Sequence, residues 1–199
     1  MPELPEVETV RRGLEPVMAG ARFVRVEQRR PDLRFPFPER FVARLEGQSV
    51  THLGRRAKYL MARLSSGEVL VMHLGMSGRF SISAPAAASP SNSPGEAARV
   101  LAAFTYGTGN DPAHDHAVFQ MSGGATITYN DPRRFGYMQL IAEAELDRHP
   151  LLESLGVEPL GNALTAAYLA GRAEGRSVDL KAFLMDQRNV AGLGNIYVC

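Results

Sequence analysis

Lysine, cysteine, tryptophan and net charge are all scarce in this sequence of 199 residues. The lone cysteine, Cys199, is the last residue, so no internal disulfide framework and no thiolate-rich zinc site can form within the chain. Net charge is close to zero, with 22 Lys+Arg against 21 Asp+Glu giving +1. Global charge therefore makes no case for a polyanionic partner, and any such case must rest on local sites. No apolar run approaches the roughly 20 residues of a membrane span. The acidic start MPELPEVET lacks the basic-then-apolar pattern of a secretory signal, which points to a cytoplasmic protein. Hydrophobic residues, at 45%, suffice for a packed core and are too many for a disordered chain. The length fits one large domain or two small ones.

The cations are unevenly placed. Residues 1–60 carry 12 Lys+Arg and 8 Asp+Glu, and the remainder carry 10 and 13. Only Lys58 and Lys181 are lysines. A GC-rich coding bias accounts for that preference, and so would a need for bidentate phosphate contacts; composition does not separate the two.

Apolar residues at Val7, Val10, Leu14 and Met18 recur every three or four positions and predict a helix over Pro5–Gly20. Pro5 near its start, Glu6 and Glu8 in its first turn and Gly20 at its end agree. Alternation predicts a strand over Arg22–Arg30, and Glu39–Leu45 reads as a short helix. Strand-like segments follow at Ser49–Arg55, Lys58–Leu64, Glu68–Leu74, Gly78–Ile82, Ala117–Met121, Thr126–Asn130 and Tyr137–Ala142, separated by glycine and Asp-Pro turns. This pattern predicts an antiparallel sandwich or barrel. Ser83–Pro112, rich in Ala, Ser, Pro and Gly, reads as a flexible insertion between two strands, with Val100–Phe104 a brief ordered piece inside it. After residue 143 the pattern turns helical, at Ala144–His149, Leu164–Arg172 and Val178–Gln187. A glycine turn over residues 190–195 then leads to Asn195 as N-cap of a helix starting at Ile196. About three residues make no stable helix, so the chain is expected to stop inside a structural unit.

Five places could carry chemistry. Loss of Met1 would free the α-amino group of Pro2, a secondary amine able to attack a sugar or carbonyl carbon and form an iminium. Glu3 and Glu6 beside it could serve as general acid and orienting group. The same residues also serve plain structural ends, since prolines stiffen and glutamates favour a helix start. Lys58, in RRAKYL, could touch phosphate or move a proton, or be a solvated edge charge. Met76, in HLGMSG, sits between glycines and suits an exposed wedge, or packs in a core. Arg133 and Phe135, in NDPRRFG, put a cation beside an aromatic, as stacking and phosphate clamping require, though a plain turn would look the same. The Gly-Leu-Gly-Asn of 192–195 offers free N–H groups to an anion but is no P-loop. His114 and His116 could share an ion on a strand face; polar strand positions explain them equally, and no metal ligands are assigned.

Taken together, MPELPEVETVRRGLEP, RRAKYL, HLGMSG, HDH, NDPRRFG and LMDQRNVAGLGNIY, in this order, closely resemble bacterial formamidopyrimidine-DNA glycosylases, whose family also contains endonuclease VIII. The resemblance runs from Met1 to Cys199 and skips only the insertion. It implies an α+β fold: an N-terminal antiparallel β-sandwich or barrel flanked by helices over residues 1–142, then an incomplete helix-two-turn-helix domain over 143–199. It implies base-excision repair of oxidised purines such as 8-oxoguanine and formamidopyrimidines by a combined glycosylase and AP lyase. Pro2 matches the Schiff-base nucleophile on C1′, Glu3 the acid/base that protonates the sugar, Glu6 a supporting carboxylate, and Lys58 the residue of β-elimination and phosphate contact. Met76, Arg133 and Phe135 match the side chains that fill the gap left by a flipped lesion. His114, Arg133 and Arg176 match DNA contacts, and His73 and Asn195 match phosphate contacts. The implied partner is double-stranded DNA holding oxidised bases or abasic sites, met by a monomer in the bacterial cytoplasm on the nucleoid. The family's four-cysteine zinc finger, with its one structural zinc, is absent from this chain, so no cofactor is expected here. An endonuclease VIII-type enzyme for oxidised pyrimidines, a DNA-binding fragment without activity and an unrelated β-barrel binding module are the alternatives.

Overall fold

The computed structural model describes residues 1–83 and 111–199. Most of the expected insertion, including Val100–Phe104, lies outside the described residues. The expected sandwich is present as two antiparallel four-stranded sheets.

Helix α1 (Leu4–Met18) buries Val7, Leu14 and Met18 of the stripe its sequence spacing predicts, with Val10 partly buried and Leu4 added at its start. It ends where Gly20 takes a left-handed φ of 76° and donates its N–H to the carbonyl of Val50 at 2.7 Å. The chain then runs through β1 (Phe23–Gln28), α2 (Phe41–Leu45), β2 (Val50–Arg56), β3 (Tyr59–Leu64), β4 (Glu68–His73), β5 (Arg79–Ser83), β6 (Asp115–Met121), β7 (Thr126–Asn130) and β8 (Tyr137–Ala142). One sheet has the order β1-β6-β7-β5 and the other β2-β3-β4-β8. Between them Phe23, Phe41, Leu53, Leu60, Leu70, Phe119, Ile127 and Tyr129 form the core, with Leu14 and Met18 of α1.

The second sheet is covered on both faces, which is why the middle of β4 is apolar throughout instead of alternating. Its other face packs Met61, Val69, Val71 and Ile141 against Leu146 and Leu152. Leu146 belongs to a 3₁₀ segment over Glu143–Arg148, where the sequence predicted an α-helix. Helices α3 (Ala166–Ala173) and α4 (Leu180–Met185) follow, each N-capped by an acceptor side chain, Thr165 and Asp179. No helix starts at Ile196. A single turn forms there, with the Val198 N–H reaching the carbonyl of Gly194 at 3.2 Å. No helix among the described residues is long and apolar enough to cross a membrane.

Candidate active site

The two ends of the sequence meet. The Leu4 N–H donates to the carbonyl of Gly192 at 3.0 Å, and the buried Glu3 carboxylate accepts from the Ile196 N–H at 2.7 Å and the Tyr197 N–H at 3.4 Å. The glycines of 192–195 make this approach possible. A Cβ on Gly194 would lie 2.5 Å from the Glu3 carboxyl carbon, and one on Gly192 would lie 2.7 Å from Leu4 Cδ1. The anion bound by the N–H groups just past this turn is thus Glu3 itself, and its carboxylate takes the capping place the sequence suggested for Asn195. Glu6 closes the other side, accepting from the Glu3 N–H at 2.9 Å and from the Tyr197 hydroxyl at 2.9 Å. Glu3 is clamped rather than free to rotate.

Beside it opens a cleft of about 530 Å³ lined by Glu3, Arg34, Lys58, His73 and Asn195 among others. Pro2 and Met76 line an adjoining cleft of about 740 Å³, and Met1 borders both. Four residues far apart in sequence therefore share one wall system: Glu3 from the start of α1, Lys58 from the β2–β3 hairpin, His73 from the end of β4 and Asn195 from the glycine turn.

Lys58 sits in a two-residue hairpin loop, since Arg56 pairs with Tyr59. Its neighbour Ala57 has a φ of 51°, a left-handed conformation that costs a non-glycine residue about 1 kcal/mol. Glu158 holds that turn. Its carboxylate accepts from the Ala57 N–H at 2.6 Å, from Arg55 at 2.8 Å and from Arg56 at 2.9 Å. Arg55 also reaches Glu8 of α1 at 3.3 Å. Glu158 lies in the segment after the sandwich, so its carboxylate ties that segment to the hairpin that carries Lys58, and Glu8 ties the same hairpin to α1. Glu158→Ala leaves the Ala57 N–H and two guanidinium groups short of an acceptor. We expect a loss of about 2–3 kcal/mol at pH 7, read as a lower urea midpoint.

Burial pulls the Lys58 pKa below its ordinary value, against the Glu3 and Glu6 carboxylates, which push it up. The net effect makes the neutral amine more accessible for proton transfer. Burial lowers His73 to about 4, helped by the positive charges of Lys58 and Arg34. Its Nδ1 accepts the Gly75 N–H at 3.0 Å, so the neutral ring carries its proton on Nε2. Tyr137 stacks on the ring at 5.0 Å, 15° from parallel.

Among the carboxylates, burial raises Glu8, but bonds from Arg11, Arg12 and Arg55 outweigh it and hold Glu8 at about 2. Burial likewise raises Glu158, and its bonds to Ala57, Arg55 and Arg56 bring it below the ordinary value. Each of these shifts makes the unfolded chain bind more protons than the native one, so stability falls with falling pH. The His73 contribution is complete above 6.5 and lost toward about 4. The Glu8 contribution is complete above 4.5 and lost toward about 2. Chemical denaturation across this range should show a first decline below 6.5 that His73→Gln removes, and a steeper one below 4.5 that it leaves.

A second cluster presents the wedge candidates. Met76 and Phe135 are 43% and 42% exposed, and the Arg133 guanidinium lies over the Phe135 ring at 4.8 Å. Their loops are locked face to face. A Cβ on Gly75 would meet the Gly136 nitrogen at 2.3 Å, and one on Gly136 would meet the Tyr129 hydroxyl at 1.8 Å. Between the loops lies Asp131, fully buried, whose carboxylate accepts from the Ser77 and Tyr129 hydroxyls and from the Gly136 N–H. Nothing in sequence spacing singled out Asp131 beyond its place in a turn.

The histidines of HDH part company. The His116 Nε2 is 2.9 Å from the carbonyl of Asp131, while His114 Nε2 lies 3.9 Å from Asp111. Arg176 pairs with Asp186 at 3.9 Å and lines neither cleft, so the structure does not bring it to the other candidates. No group of three or more His, Cys, Asp or Glu among the described residues could hold a metal ion.

Residues 1–138 match the family described as formamidopyrimidine-DNA glycosylase N-terminal domain, and 155–199 match the formamidopyrimidine-DNA glycosylase H2TH domain. A curated relative named formamidopyrimidine-DNA glycosylase, from Bradyrhizobium diazoefficiens, is 62% identical over 199 residues, covering 100% of this chain and 64% of the relative. The crystal structure of the Lactococcus lactis formamidopyrimidine DNA glycosylase bound non-covalently to DNA containing an AP site superposes with a TM-score of 0.77 at 28% identity, over 98% of this chain and 66% of that one. The same enzyme with DNA containing FAPY-dG gives 0.77 and 28% over 98% and 65%. The chain spans about 64% of the length of the curated relatives it matches.

Proposed function

The chain belongs to the formamidopyrimidine-DNA glycosylase family, and from that premise we propose that it carries the catalytic head of a bifunctional DNA-repair enzyme that removes oxidised purines and then cuts the strand. The observation that carries this reading is the clamped Glu3, directly after Pro2, at the wall of a cleft it shares with Lys58. We take the catalytic domain as residues 1–142 and the helical DNA-binding part as 143–199.

Removal of Met1 gives Pro2 a secondary amine. The deprotonated nitrogen attacks C1′ of the deoxyribose, the N-glycosidic bond breaks and the base departs with a proton. Glu3 delivers a proton to O4′ as the sugar ring opens, which leaves an iminium between Pro2 and C1′. The iminium acidifies C2′. Lys58, buried and easier to deprotonate than an ordinary lysine, takes that proton and the 3′ phosphate leaves. His73 keeps a neutral ring, and its Nε2–H suits a phosphate oxygen, as does the side chain of Asn195. Met76, Arg133 and Phe135 enter the duplex where the lesion swings out and replace part of the lost stacking, which costs a few kcal/mol. His114 and Arg176 reach the flanking DNA.

The test is borohydride trapping. A duplex with one 8-oxoguanine, incubated with the protein and reduced, should yield a covalent protein–DNA adduct at the N-terminal residue. Absence of any adduct at saturating protein would overturn the proposal.

A further inference from the structure

A second exposed aromatic repeats the architecture of the wedge. Phe35 is 43% exposed, and the Arg34 guanidinium lies 5.5 Å from its ring centroid. The Arg133–Phe135 pair has the same make-up at 4.8 Å. The two pairs are also joined, because the Arg34 N–H donates to the carbonyl of Gly136 at 3.1 Å.

Phe35 sits at the tip of a rigid loop. Asp32 and Pro36 form an antiparallel bridge, the Leu33 N–H reaches the carbonyl of Phe35 at 2.9 Å, and the Phe37 N–H reaches that of Pro31 at 3.1 Å. Leu33 and Phe37 on either side are buried and anchor the loop, while the Phe35 ring meets Tyr137 edge-on at 5.2 Å. Arg34 lines the cleft with Lys58 and has no ion-pair partner among the described residues. A large apolar ring left in water on a stiff support, with an unpaired guanidinium beside it, is what stacking on a nucleobase while holding its phosphate requires.

We propose that Arg34 and Phe35 form a second stacking platform at the cleft, which takes a nucleobase displaced from the duplex stack. The ring offers one face to the base, and Arg34 offers its charge to the adjoining phosphate. The platform tolerates any base, because every base has a π-face. This inference rests on the proposed DNA-repair function and deepens it: the cleft engages an unstacked base in addition to the sugar.

The test uses a duplex carrying one extrahelical 2-aminopurine opposite an abasic site. Stacking on Phe35 should quench the probe when the wild-type protein binds. Phe35→Leu should abolish that quenching and weaken binding roughly tenfold or more, within the range for loss of one base–aromatic stack. Phe35→Tyr should keep both. Arg34→Ala should lower the slope of log affinity against log salt by about one phosphate contact. Thermal melting, expected to be unchanged for each variant at this exposed tip, shows that the fold is intact. Binding and quenching by Phe35→Leu equal to wild type would overturn the platform and leave the glycosylase reading standing. Failure of the wild-type protein to bind the duplex at all would overturn both.

Discussion

An N-terminal extension that keeps Pro2 inside a peptide bond is expected to abolish borohydride-trapped adducts while leaving the melting temperature unchanged. The nucleophile argued above is an amine that exists only after Met1 is gone. In a peptide bond the same nitrogen has its lone pair delocalised into the carbonyl and cannot attack C1′. Met1 is 53% exposed at the border of both clefts, so further residues have room to leave the fold. The bonds that fix Glu3 run to Ile196, Tyr197 and Glu6, none of which needs a free terminus. A structural effect and a chemical one are thereby separated: the extension removes the nucleophile and leaves the clamp. A cleavable tag makes the comparison within one preparation. Adduct should be absent before cleavage and should appear once cleavage exposes Pro2. An equal adduct before cleavage would place the reacting amine elsewhere, with Lys58 the first residue to examine.

Legibility from sequence tracked how local each device is. Helix α1 and strand β7 are readable because their burial largely follows a period that the sequence carries openly. The 3₁₀ segment at Glu143–Arg148 was not, since a six-residue apolar pattern does not distinguish 3₁₀ from α. Pro2, Glu3 and Lys58 could be nominated from residue type and motif, but their meeting could not. It depends on the glycine turn packing against Leu4 and Glu3 across nearly the whole chain. The turn at 192–195 reads as an anion site, and the N–H groups directly after it bind an internal anion, Glu3. Glu158 and Asp131 carry no sequence signal for the same reason. Each is one acidic residue among many, and what sets it apart is three donors converging on one carboxylate: Arg55, Arg56 and Ala57 of a remote hairpin for Glu158, and Ser77 with the nearby Tyr129 and Gly136 for Asp131. Arg34 and Phe35 did leave a signal, an exposed-type arginine before an aromatic in a proline-rich loop, which resembles the Arg-Phe pair of NDPRRFG.

Replacing Asp131 by alanine is expected to cost about 3–5 kcal/mol, because three neutral donors lose their acceptor at about 1–3 kcal/mol for each one left buried and unsatisfied. The residue is 0% exposed and Tyr129 beside it is 1% exposed. The Gly136 N–H at 2.8 Å and the Tyr129 hydroxyl at 3.2 Å both point at one carboxylate oxygen, and Ser77 takes the other. Alanine strands the Tyr129 hydroxyl and the Gly136 N–H in the core and the Ser77 hydroxyl at its edge. The consequence reaches the surface, because Ser77 belongs to the loop of Met76 and Gly136 to the loop of Arg133 and Phe135. With the tie cut, the wedge side chains lose their common register, so binding to an abasic-site duplex should fall further than stability alone explains. Tyr129→Phe separates the contributions. It removes one donor and should be tolerated far better by itself. In its background Asp131→Ala should cost less, because one fewer group is left unsatisfied, and the difference is the coupling energy between the two residues. Strictly additive losses in denaturant melts would mean that the Tyr129 hydroxyl and the Asp131 carboxylate are not coupled, which would overturn the reading of this carboxylate as the acceptor that both loops share.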